Sequence, residues 1–154
     1  MATAEMTSNW QRIMAYSTGS VVLGLLLIIL TNGFISFVAM EGTTGYLVLL
    51  AFGFVFLNLG FGLNRRYAMK SPQAGALPYL FATLLALPSL AWVLGGGEGL
   101  RPTTRWLFLA TIFFAVYLGT YYGTRRGIAK RREYLEQARL DAGNAGDSSG
   151  PTTS

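Results

Sequence analysis

The sequence predicts an all-α integral membrane protein: a four-transmembrane-helix up-down bundle with a short cytoplasmic C-terminal helix and a disordered tail. Three observations carry that prediction. Only 12% of the 154 residues are charged and 52% are hydrophobic, whereas an ordinary soluble domain carries about 25% charged residues. Four apolar stretches contain no Asp, Glu, Lys or Arg. Each is long enough to cross a hydrocarbon core of roughly 30 Å, which takes about 20 helical residues. Finally, the Lys and Arg residues gather on one set of connections, as the positive-inside rule requires of a polytopic protein. Spanning segments must satisfy their backbone groups internally, so the choice lies between helices and a closed barrel. Continuous apolar runs without strict alternation select helices.

Residues 1–16 form the N-terminal segment, which holds Arg12. The first span covers about 17–39. It resembles a signal peptide in following a basic residue, but its apolar run is longer than a secretory core. Its exit, "SFVAMEG", also places Phe37 where a cleavage site needs a small residue, so it is read as a retained helix. About five residues lead to the second span, 45–63, and about a dozen to the third, 75–94. Pro78 falls in the first turn of the third span, where its missing N–H is harmless. Pro88 is interior, and is expected to kink the helix and free a carbonyl near Leu84. The fourth span covers 106–123, completing a transmembrane domain at 17–127. The stretch 128–140 is rich in helix formers, and it places Arg132 and Arg139 beside Ile128 and Leu135. That makes it a poor membrane-lying amphipath and a better helical extension into the cytoplasm. The last stretch, 141–154, is small and polar and is expected to be disordered.

Orientation follows from the connections. Arg12, Arg65, Arg66, Lys70, Arg125, Arg126, Lys130, Arg131, Arg132 and Arg139 fall on one side, and only Arg101 and Arg105 on the other. Both termini are therefore expected in the cytoplasm. Arg65, Arg66, Lys70, Arg125, Arg126, Lys130, Arg131 and Arg132 are expected to contact anionic lipid headgroups, each contributing about 1 kcal/mol. Because the basic residues alternate with apolar runs, the acidic partner is the bilayer and not a nucleic acid. Trp92, Trp106 and Tyr46 near the outer face, and Tyr67, Tyr79, Tyr121 and Tyr122 near the inner, fit interfacial belts.

The second and fourth spans end alike, in "GLNRRYAMK" and "GTRRGIAK", with Arg65-Arg66 and Arg125-Arg126 sixty residues apart. A duplicated hairpin would produce this. Belt and charge rules alone would produce it too, and the first and third spans show no match.

Catalysis finds little foothold. The chain has no His and no Cys, which removes the usual ligands of haem, copper and zinc as well as thiol nucleophiles. The acids Glu5, Glu41, Glu98, Glu133, Glu136, Asp141 and Asp147 all lie outside the spans, so no acid/base pair is expected within the membrane. "GGGEG" at 95–99 lacks the Lys-Ser/Thr of a phosphate loop. No cofactor is predicted, and a bound lipid is compatible with the composition.

Two features inside the spans remain. Ala115, Gly119 and Gly123, with Gly127 beyond, recur every fourth residue. They form a stripe that lets another backbone approach closely, since lipid supplies no hydrophobic drive between helices. Another helix of the same bundle is the favoured partner. Asn32 and Asn58 are expected about 10 Å and about 20 Å below the outer face, too far apart to pair with each other. Each is expected to hydrogen-bond between helices or, less favoured, to line a polar path.

The resulting expectation is a non-catalytic membrane protein, an accessory or assembly subunit that packs against other membrane subunits or against itself. The alternative is a small oligomeric channel or carrier for a neutral or weakly polar solute, with Asn32, Asn58 and the Pro88 kink on its path. An enzyme acting on lipid is weaker still.

Overall fold

The computed structural model describes residues 2–37, 42–71, 75–95 and 101–147. These residues form four helices: α1 (Ala2–Phe37), α2 (Gly42–Lys70), α3 (Leu77–Leu94) and α4 (Pro102–Asp147). All four are long and apolar enough to cross a membrane.

The helices outrun the apolar stretches that betray them. α1 begins at Ala2, α2 continues to Lys70, and α4 runs for 46 residues from Pro102. The reason is that hydropathy marks the part of a helix that fits lipid, whereas the helix itself persists until a breaker intervenes. Residues 2–16 contain neither Gly nor Pro, so nothing stops α1 from starting well before its apolar run. Pro102 occupies the first position of α4, where its fixed φ favours initiation. Beyond Gly127, the run of Arg, Ala, Lys, Glu, Leu and Gln sustains α4 through 128–140 and on through 141–147, residues assigned to the tail by composition alone. Residues 148–154 lie outside the described residues. At 1.5 Å per residue α4 is roughly 70 Å long, more than twice the hydrocarbon thickness.

Packing does not follow chain order. α2 lies along α4 in parallel, with Gly53 against Thr111, Gly60 against Val116, and Gly127 against Arg65 and Ala68. α1 lies along α3 in the same sense, with Tyr16 on Phe81 and Gly24 on Leu85 and Pro88. α3 joins the two pairs by packing antiparallel to α4, with Trp92 on Phe108 and Thr83 at Tyr117. α1 and α2, although linked by a short connection, meet sparsely.

Two apolar clusters fill the bundle. The larger is built from Leu27 and Ile28 of α1, Leu49 and Phe56 of α2, Ala82, Leu85 and Ala86 of α3, and Phe108, Ile112, Ala115 and Val116 of α4. The smaller, toward the α2 C-terminus, holds Tyr67, Ala68 and Phe81 with Tyr16 against them. Hydroxyls are absorbed locally. Ser20, Thr31, Thr83 and Thr111 each reach the carbonyl four residues back, at 2.7 to 2.9 Å. Such bonds let Ser20, Thr31 and Thr111 enter an apolar layer without a partner on another helix, and Thr83 also meets the Tyr117 hydroxyl of α4 at 2.7 Å.

Candidate functional site

The Ala115, Gly119 and Gly123 stripe is an intramolecular seam. Gly119 faces the backbone of Leu57 and Phe61, Gly123 faces Phe61, and Gly127 extends the contact so that a methyl group there would stand 2.6 Å from the Arg65 carbonyl oxygen. α2 answers with its own small residue, since a methyl group on Gly60 would stand 2.7 Å from the carbonyl oxygen of Val116. Backbone meets backbone along this line, which maximises dispersion where burial itself brings no gain. The partner is therefore α2 of the same chain.

The polar group that bridges the two helices of the seam is not one of the amides singled out in the sequence, and it is only half satisfied: the Oδ1 of Asn64 is buried with no partner among the described residues. Asn64 is fully buried and its Nδ2 donates to Thr120 Oγ1 of α4 at 2.9 Å and to the Gly60 carbonyl at 3.0 Å. It escaped notice because it follows Leu63, where the apolar run ends, and directly precedes Arg65 and Arg66. A polar residue in that position looks interfacial. The available signal was the sixty-residue likeness, which sets the ends of α2 and α4 side by side. Thr120→Val removes one bond of nearly constant volume, and should lower the stability of the bundle by about 0.6 to 2 kcal/mol. Detergent-induced unfolding of the reconstituted protein checks this, and an unchanged midpoint would mean that the bond contributes nothing.

The other amides are placed differently from each other. Asn58 is exposed on α2, and its Nδ2 donates to the Phe54 carbonyl of its own helix at 2.8 Å. Among the described residues it makes no bond to another helix. Asn32 is half-buried on α1 next to Thr31, which is fully buried and bonded to the Leu27 carbonyl. Pro88 is buried inside an uninterrupted α3, its ring packed at Gly24 of α1. Pro88 thus serves as a packing knob, and the three residues are not brought together around one path.

At the other end of the bundle the parallel pairing gathers the basic residues. Arg65 backs onto Gly127, so the ends carrying Arg65, Arg66 and Lys70 and those carrying Arg125, Arg126 and Lys130 stand together. The cations lie against aromatic rings of their own helices. The Arg65 guanidinium is 6.0 Å from the centre of Phe61, Arg125 is 5.5 Å from Tyr121, and the Lys130 ammonium is 5.7 Å from Tyr134. Arg125 also donates to the Tyr121 hydroxyl at 3.0 Å. Arg12 of α1 reaches the Lys70 carbonyl at 3.4 Å, placing a positive charge at the negative end of the α2 dipole. Further along α4, Arg132 and Arg139 line a surface cleft with Leu135 and Glu136. Arg131 carries a buried Nη1 without a protein partner among the described residues. Guanidinium and ammonium groups held beside aromatic rings suit the headgroup layer, where one end of a side chain is apolar and the other charged.

A second kind of surface lies between α1 and α2. Between these sparsely packed helices lies an apolar cleft of about 340 Å³, lined by Phe34, Leu47, Val48, Ala51, Phe52 and Val55. Phe34 and Phe52 meet edge to face across its floor, with centroids 6.0 Å apart. Among the described residues no group of three His, Cys, Asp or Glu side chains could hold a metal ion. In comparisons with known proteins, no family model, no curated protein and no solved structure matches this chain.

Proposed function

We propose that this chain is a non-catalytic integral membrane protein, an accessory or assembly subunit of a larger membrane complex. It is inserted as an up-down-up-down bundle with both termini and the basic end of α4 in the cytoplasm. The observation that carries this reading is the apolar cleft between α1 and α2. α2 is packed closely along α4 and α1 along α3, whereas α1 and α2 meet sparsely and leave the cleft open along residues 47–55 of α2. A cleft with aromatic walls accepts a transmembrane helix of another subunit by van der Waals fit, the interaction that drives helix association in lipid. The end of α4 supports the same reading: from Ile128 to Asp147 it supplies roughly 30 Å of polar helix for contacts outside the membrane.

The carrier reading has less behind it. Asn58 faces outward and bonds its own helix, and Pro88 is buried against Gly24, so the proposed path lacks a common lining.

Gentle extraction followed by native mass spectrometry tests the proposal. The expected result is a stoichiometric complex containing at least one other polypeptide. Val55→Trp, which fills the cleft without touching the α2 and α4 seam, should reduce that recovery several-fold while leaving insertion intact. Recovery of nothing but copies of this chain would sink the subunit reading.

A further inference from the structure

Asn58 sits near the middle of the span Thr43–Lys70, on the outward face of α2. One of its amide hydrogens goes to the Phe54 carbonyl, which already accepts within the helix. Its second N–H and its Oδ1 have no partner among the described residues. At this depth neither water nor acyl chains can satisfy them, and an unmet carboxamide in hydrocarbon is costly. The same face carries Phe54, 68% exposed, and Gly62, where an added methyl group would meet nothing within 4 Å. Gly60, on the opposite face, is jammed against Val116 of α4. The two glycines therefore serve different neighbours: Gly60 belongs to the internal seam, and Gly62 leaves room for a backbone from outside.

We propose that α2 pairs with α2 of a second copy through Asn58, about a two-fold axis along the membrane normal. The occupant follows from the chemistry of the side chain. The Lys and Arg bias directs every copy to insert the same way round, so Asn58 of two copies lies at one depth. A carboxamide carries both donor and acceptor, and two of them face to face across a two-fold axis satisfy each other with reciprocal hydrogen bonds. An acyl chain offers neither group.

The test uses the full chain, purified alone and reconstituted in vesicles of phosphatidylcholine and phosphatidylglycerol. The sequence contains no cysteine, so single substitutions report without background. With copper phenanthroline as oxidant, Phe54→Cys and Gly62→Cys should crosslink to dimers. Ile29→Cys, which is 67% exposed on α1, should not. In dilution-dependent energy transfer between labelled copies, Asn58→Leu should weaken dimerisation about threefold to thirtyfold, and Asn58→Gln should retain it. Leucine at an outward position leaves the bundle itself unchanged, which detergent unfolding verifies. A wild-type chain that is monomeric at all dilutions overturns the proposal, as does equal crosslinking at Ile29→Cys or undiminished pairing of Asn58→Leu. Failure here leaves the subunit reading standing, since that depends on other polypeptides recovered from the native membrane.

Discussion

Gly119→Ala should destabilise the helix bundle by about 1 to 3 kcal/mol, the usual cost of forcing a methyl group into a filled contact. The added carbon would collide with the Leu57 carbonyl oxygen and crowd the Leu57 and Phe61 backbones. Neither can move without shifting α2 as a whole. Gly119→Leu with Gly123→Leu should separate α2 from α4 altogether. Insertion and orientation should persist, because they depend on hydropathy and on the Lys and Arg distribution. Gly33→Ala provides the control: its added carbon meets nothing within 4 Å, and losing a glycine favours the helix by up to about 1 kcal/mol. Detergent-induced unfolding followed by circular dichroism measures all three. If Gly119→Ala unfolds at the wild-type midpoint, the two backbones are not in contact and the seam is discarded.

Tyr67→Ala and Tyr67→Phe should have opposite consequences. Tyr67 is 1% exposed and stands edge-on to Phe81, with centroids 4.9 Å apart, and to Tyr16 at 5.2 Å. Truncation to alanine opens a cavity between α1, α2 and α3 and should cost about 3 to 5 kcal/mol. The hydroxyl, by contrast, is buried with no hydrogen-bond partner among the described residues. Its removal should leave stability unchanged or raised, since an unsatisfied buried polar group is a liability in itself. The same unfolding assay separates the two. A loss of more than about 1 kcal/mol in Tyr67→Phe would show that the hydroxyl is bonded, to an internal water or a lipid, and that the aromatic cluster is more than apolar filling.

The two halves of the molecule were unequally legible. The four spans could be read from hydropathy because transfer from water to lipid is a property of each segment alone. Helix ends were harder, since a helix such as α4 continues through Arg125 and Lys130 with no regard for where the lipid stops. The likeness between the ends of α2 and α4 has a direct physical reading: parallel neighbours at the same depth meet the same interface and take the same residues there. Small residues were visible as a stripe on α4, but the spacing alone does not separate Gly60, locked against α4, from Gly62, which faces open space. Asn64 and Asn58 show the same limit. Both are amides on one helix, six positions apart. One is buried and bonded to Thr120, the other exposed and bonded to its own backbone.

By itself, then, the sequence determined that four helices are apolar and long enough to span a bilayer, and which connections hold the charge. These are one-body quantities, summed along each segment. The tertiary structure alone decided that α2 pairs with α4 and α1 with α3, which glycines lie against the backbone of another helix, and that a cleft stays open between α1 and α2. In lipid every apolar face is equally at home, so pairing rests on the fit of one surface to another, and fit exists only once both surfaces are in place.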